Sequence, residues 1–342
     1  MNATTRLHEF LARRIGRDLR GCAAATGIAA MLLASASHGI SFTASLSGAA
    51  ESTPNASPAT GTAVVTLYGT LMLVQVTFSG LTSPTTDAHI HCCTPTPNTG
   101  TAIVATTTPT FTGFPAGVTS GTYEHSFDIL LASTYNPAFI TASGGTVTNA
   151  LGTLFDYGLY LNKAYLNIHT SSFPGGEIRG FLTPEGPPAF TKSFNPSSTT
   201  LGQPVSLTFT LTNPNTNALP MTNIGFLDNL PLGLGVAPGI TNACGGVLTT
   251  TTNSIALGGA SIALNGQCQF TVPLTQTNVG TFSNTTDRVQ GDTFGNGNFA
   301  SATLQILPAP MPVSIPTLGP WLLAGLVAVM GIGAFAYTRR RV

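Results

Sequence analysis

Charge is what this sequence has least of. Only 7% of its 342 residues are Asp, Glu, Lys or Arg. Amphipathic helices solvate their outer faces with such residues, so a chain this poor in them is not built mainly from helices. No heptad or long helical period is present, which excludes a coiled coil. Basic patches are missing too. Eight of the twelve Lys and Arg lie in the two terminal segments, and residues 37–319 carry four bases against ten carboxylates, a net charge of −6. Nothing there neutralises a phosphate backbone, so nucleic acid is excluded as a partner. Enzyme signatures are also lacking. There is no Gly-x-Ser-x-Gly elbow, no phosphate loop and no His-Glu-x-x-His metal site. The expectation is a protein that is not an enzyme.

Gly (38) and Pro (24) are plentiful instead, with Thr, Ser and Asn taking the solvated positions. That composition favours strands and turns. Expected strands in the first half are 62–67, 71–78, 127–131 and 164–170, with Tyr68-Gly69-Thr70 as a hairpin turn and a short helix over 149–161. Pro184-Glu-Gly-Pro-Pro188 reads as a linker. Beyond it, Val205-Ser-Leu-Thr-Phe-Thr-Leu-Thr212 alternates apolar and hydroxyl residues, the pattern of a half-buried strand. Further strands follow at 224–228, 254–257, 268–272 and 280–282. The fold class expected is all-β, two β-sandwich domains in tandem, with a signal peptide before them and a transmembrane helix after.

Both ends read as address labels. Residues 1–36 combine five arginines, an apolar run from Cys22 to Leu33 and Ala34-Ser35-Ala36, the order of a secretory signal peptide cut by signal peptidase. At the other end, a Pro-rich spacer (307–314) precedes Ile315-Pro316-Thr317-Leu318, Trp321, an apolar run to Tyr337 and Arg339-Arg340-Arg341. The run is at the short limit of a bilayer span, and the arginines suit the cytoplasmic side. This order over 315–342 resembles the IPTL-CTERM sorting signal, a variant of the PEP-CTERM class, although Gly319-Pro320-Trp321 departs from the usual Ser-x-Trp. The resemblance implies an exosortase-type partner. The location expected is export, with the C-terminal helix anchored at least transiently in the inner membrane, and then the cell surface or the extracellular space.

Three groups of motifs carry a second resemblance. They are Phe42-Thr-Ala-Ser-Leu-Ser-Gly-Ala-Ala-Glu51 with Pro58-Ala-Thr-Gly-Thr62, Phe78-Ser-Gly-Leu81 with Ala88-His-Ile-His91, and Ala164-Tyr-Leu-Asn-Ile-His-Thr170 with Pro174-Gly-Gly-Glu-Ile-Arg-Gly180. Together they resemble the CHRD domain over residues 41–184, which implies a compact β-sandwich module without an established catalytic activity.

Within it, His89 and His91 emerge on one strand face, about 6–7 Å apart. That spacing lets two imidazoles share a metal ion, as in the His-x-His strand of copper-zinc superoxide dismutase. With His169 and Cys92 they make a donor set suited to copper or zinc. Two alternatives stay open. The histidines can form a buried hydrogen-bonded cluster with no metal, and Cys92-Cys93 can close a vicinal disulfide. Dismutase activity is not expected, because six histidines, with His8 and His38 in or beside the leader, do not supply that enzyme's ligand set. Glu177 and Arg179 share a strand face and are expected to make a structural ion pair with cross-strand partners.

Residues 188–306 carry Phe190-Thr-Lys-Ser-Phe-Asn-Pro196, Asp228-Asn-Leu-Pro-Leu-Gly233 and Gly280-Thr-Phe-Ser-Asn-Thr-Thr286. These motifs resemble Ig-like repeat modules of bacterial cell-surface proteins, which implies a spacer or adhesive stalk. Cys244 and Cys268 are expected to form a disulfide, which the exported compartment permits and which contributes roughly 3 kcal/mol for a loop of this size. Two readings of function result. One is a structural or adhesive module that contacts envelope or matrix polymers or proteins and needs no cofactor. The other is a periplasmic or surface copper- or zinc-binding protein using His89, His91 and His169.

Overall fold

The computed structural model describes residues 39–239, 244–311, 319, 321–322 and 324–330. Alternation builds its first domain. Along Leu71–Ser79, Met72, Val74, Val76 and Phe78 are buried while the residues between them are at least partly open, the two-residue period of a strand with one covered face. The strands are β1 (Ile40–Ser47), β2 (Thr60–Tyr68), β3 (Leu71–Ser79), β4 (Thr85–His91), β5 (Gly121–Asp128), β6 (Tyr165–Thr170), β7 (Ile178–Phe181) and β8 (Thr183–Pro184). They form one sheet in the order β4-β6-β7-β1-β2-β3-β5, with β8 also on β1. The expected hairpin joins β2 to β3 through Gly69, whose φ of +56° suits a residue without a Cβ.

The segment after β4 draws the two sheet edges together. Phe111 N donates to Ala88 O and Thr85 N to Val118 O, fixing this segment on β4. Phe111 and Phe114 meanwhile pack on Tyr123 of β5. The sheet therefore encloses one core, with Phe42, Val65, Met72, Ile90, Leu166 and Ile178 inside it. A helix α1 (Pro137–Ala142), capped by the Asn136 side chain, and α2 (Val147–Gly152), continued by a π-turn to Leu159, complete the domain. The strand expected over 127–131 differs. The observed β5 ends at Asp128, whose carboxylate accepts from Leu130 N and turns the chain, leaving Leu130 and Leu131 exposed.

A second core lies beyond residue 189, around Phe209, Phe226, Ile255, Phe270 and Leu304. Its longer strands are β9 (Ala189–Asn195), β11 (Val205–Thr212), β12 (Met221–Asn229), β15 (Ser254–Ile262), β16 (Gln267–Gln276), β17 (Gly280–Thr285) and β20 (Ser301–Leu307). The shorter ones are β10 (Ser198–Thr200), β13 (Leu234–Val236), β14 (Val247–Thr250), β18 (Gln290–Gly291) and β19 (Gly295–Asn296). They make a four-stranded sheet β13-β16-β11-β9, a five-stranded sheet β14-β15-β12-β18-β19 and a three-stranded sheet β10-β20-β17. Cys244 and Cys268 are joined, their Cα atoms 5.7 Å apart.

The linker expected at 184–188 is pinned at its acidic residue. The buried Glu185 carboxylate accepts from Thr43 Oγ1 (2.8 Å) in the first domain and from Ala218 N (3.1 Å) and Leu219 N (3.3 Å) in the second. Gly186 and Asn217 exchange two hydrogen bonds, and Ser41 N donates to Thr293 O. A Pro-rich run looks like a free spacer in sequence because composition does not reveal where one carboxylate finds its donors.

The ends require a correction. Among the described residues no helix is long and apolar enough to cross a membrane, so the inner-membrane anchor is not supported. Helix is described at 321–322 and 324–330. Trp321 is exposed. The signal peptide (1–36), the motif Ile315–Leu318 and Arg339–Arg341 lie outside the described residues.

Candidate metal centre

Strand register assembles the site. β4 and β6 pair antiparallel with Asp87 opposite His169, His89 opposite Asn167 and His91 opposite Tyr165. Side chains two apart share a face, so Asp87, His89 and His91 stand beside Tyr165, Asn167 and His169. Ala88, Ile90, Leu166 and Ile168 point the other way into the core. On the next strand, Arg179 pairs with Asn167 and its guanidinium lies over the Tyr165 ring.

Each imidazole is tied by one nitrogen and free at the other. His89 Nε2 donates to Pro109 O (2.5 Å), His91 Nδ1 to Ala102 O (3.0 Å) and His169 Nδ1 to Pro174 O (3.0 Å). A carbonyl only accepts, so each bond fixes the proton on that nitrogen and leaves a lone pair on the opposite one. Those remaining nitrogens, His89 Nδ1, His91 Nε2 and His169 Nε2, are buried without a hydrogen-bond partner. The rings are 5.6–5.9 Å apart, and one ligand atom of each lies within 4.8 Å of the others. Asp87 Oδ1 joins them at 3.6 Å from His89 Nδ1 and 3.8 Å from His169 Nε2.

Burial holds two of the rings neutral. It pushes His91 down to about 4 and also lowers His89, outweighing the carbonyl bonds that favour the charged form. A neutral ring with its N–H anchored on a carbonyl is the form in which histidine binds a metal. Three imidazoles and a carboxylate suit tetrahedral zinc or copper. The rings sit slightly wide for bonds of ~2 Å, so an ion bound there would have to draw them inward. His91 also borders a cavity of ≈ 570 Å³ lined by Glu51, Tyr165, Asn167 and Arg179. Burial raises Glu51 to about 7 despite Arg179 at 3.8 Å.

The three predicted histidines come together; Cys92 does not join them. Alternation turns it to the opposite face, where its sulfur is bonded to Cys93 and packs over Gly158. Asp87 is the residue that sequence reasoning missed, although extending the His-x-His alternation two residues back reaches it. Of the two residues expected to ion-pair with cross-strand partners, Arg179 does so with Glu51. Glu177 does not: it accepts from Ser57 Oγ, Thr82 N, Thr82 Oγ1 and Thr170 Oγ1 at 2.6–2.9 Å. Burial raises the Glu177 pKa, but these donors outweigh it and leave the group below the usual range.

This site lies inside a segment that matches a known family. Residues 42–182 match the CHRD domain. Residues 188–306 match a domain of unknown function, DUF7933. No curated protein matches the chain. Among solved structures, a cohesin module from a Clostridium perfringens family 33 glycoside hydrolase is similar at 9% identity and a TM-score of 0.30, covering 36% of this chain and 99% of its own. The N-terminal domain of a Streptococcus gordonii adhesin is similar at 10% identity and 0.30, covering 73% of this chain and 66% of its own. The major pilin subunit of Bacillus cereus gives 10% and 0.29, covering 42% and 55%. The histidine site falls wholly within the CHRD domain.

Proposed function

We propose that the chain is an exported interaction protein whose CHRD domain binds one copper or zinc ion through His89, His91 and His169, with Asp87 beside them. One observation carries the reading: three buried nitrogens without partners converge from rings whose other nitrogens are fixed on carbonyls. The competing structural reading requires a cluster that satisfies itself, because a buried polar atom left unpaired costs ~1–3 kcal/mol. This cluster leaves a lone pair open on every ring, and an ion removes that cost at all three.

The second domain, read as an Ig-like display module, supports contact with envelope or matrix polymers or proteins. The outward positions of β9 and β11 are mainly Thr, Ser and Asn. Removal of the leader by signal peptidase and recognition of residues 315–318 by an exosortase-type enzyme belong to the same reading, on sequence order alone.

The test is metal content of the purified chain by mass spectrometry, followed by copper and zinc titration, with a His89→Ala, His91→Ala double variant alongside. One ion per chain, lost in the folded variant, is expected. No ion in the wild type, or equal binding in the variant, returns the chain to a purely structural module.

A further inference from the structure

The second domain buries a lysine, an aspartate and an asparagine in mutual contact. Lys192 of β9 donates to both Asp228 oxygens (3.1 and 3.2 Å) and to Asn284 Oδ1 (2.7 Å). Asn284 Nδ2 donates to Asp228 Oδ1 (2.8 Å) and to Asn229 O (2.9 Å). The side chains of Lys192 and Asp228 are fully buried, and Asn284 is buried with them. The three residues come from three separate sheets. Phe190 of β9, Phe209 of β11 and Phe226 of β12 form a buried aromatic group beside them, with the Lys192 ammonium 6.0 Å from the Phe209 ring.

This is more than a buried ion pair. An amine nitrogen stands against a carboxamide, and one carboxylate touches both that amine and the amide nitrogen that would leave. We propose that Lys192 and Asn284 become joined by an intramolecular amide bond, formed without a cofactor, with Asp228 as the proton carrier.

Asp228 takes a proton from the Lys192 ammonium, leaving a neutral amine. The Nζ lone pair then attacks Asn284 Cγ, forming the C–N bond and shifting the carbonyl pair onto Oδ1. As that pair returns, the bond from Cγ to Nδ2 breaks. Nδ2 departs as ammonium, taking the two protons lost by Nζ, and Asp228 is again a carboxylate. No electron acceptor or co-reactant is needed. Burial supports the first step: it lowers the Lys192 pKa against the opposing pull of Asp228. The product ties β9, at the start of the domain, to β17 near its end.

Trypsin provides a direct readout on the full chain. Between Arg179 and Arg288 the only basic residue is Lys192. With cysteines reduced, the cross-linked protein is expected to yield residues 180–288 as one species, uncut after Lys192 and lighter by one ammonia, about 17 Da. Lys192→Arg, which keeps a cation beside Asp228, and Asp228→Asn are both expected to abolish the mass loss. Separate peptides 180–192 and 193–288 from the wild type would overturn the proposal. A loss of ammonia confined to 193–288, or one that persists in Lys192→Arg, would also overturn it. The wild-type digest decides the matter even if a variant fails to fold.

Discussion

The two domains bury polar clusters of opposite kinds. In the CHRD domain, three imidazoles bind outward to carbonyls and leave their inner nitrogens without partners. In the second domain, Lys192, Asp228 and Asn284 satisfy one another, with Asn229 O taking the remaining Asn284 proton. A buried network with open lone pairs is completed from outside, whereas a closed one acts on itself. On the two proposals made above, the same β architecture would host a receptor for an ion in one half and an internal staple in the other.

Breaking the closed cluster has the largest expected effect. Lys192→Ala removes the amine of the proposed cross-link and leaves the Asp228 carboxylate buried without the donor to both its oxygens, and denaturant unfolding is expected to show a loss of about 3–5 kcal/mol. Next comes Glu177, which separates cluster type from domain, since its carboxylate is satisfied by four donors inside the CHRD domain. Glu177→Ala is expected to cost about 1.5–3 kcal/mol, the range for a hydrogen bond to a charged group. Its folded pKa lies below its ordinary value, so this stability is fully present above the unfolded pKa and is lost as pH falls through the lower folded value. Glu177→Gln is expected to flatten that acid limb in pH-dependent unfolding curves.

Gly158→Ala follows. A Cβ there meets Cys92 Sγ at 2.5 Å, and thermal unfolding is expected to report a loss of about 1–3 kcal/mol. Smallest is His91→Leu in metal-free protein, where losing the Nδ1 bond to Ala102 O is partly offset by removing the unsatisfied Nε2, so a cost of about 0.5–1.5 kcal/mol is expected while metal binding collapses. A large loss there would mean that the trio is satisfied as it stands and would erase the contrast.

Much of the open cluster was legible in sequence, because His-x-His needs only strand alternation to put both rings on one face. The place of His169 followed from its position in a second strand motif. Of the two roles left open for Cys92, metal ligand or vicinal disulfide, the structure has the disulfide with Cys93, because the chain turns its sulfur toward the core. The closed cluster was not read, since Lys192, Asp228 and Asn284 are brought together only by the packing of three sheets. A trace of it was present. Phe190, Lys192 and Phe194 share the inward face of β9, as do Ile224, Phe226 and Asp228 on β12, and a charge on an apolar stripe signals a buried partner. The pinned linker had no such trace, because the Glu185 donors are a threonine hydroxyl in the first domain and two backbone amides in the second.

The most direct test of the contrast is calorimetric unfolding of the chelator-treated full chain, with and without zinc. At a hundredfold excess over the measured dissociation constant, linkage predicts about 2.7 kcal/mol of added stability. That gain is expected in the transition of the CHRD domain alone, and the second domain's transition should stay where it was. No shift in either transition, or an equal shift that survives in the His89→Ala, His91→Ala variant, would contradict the account.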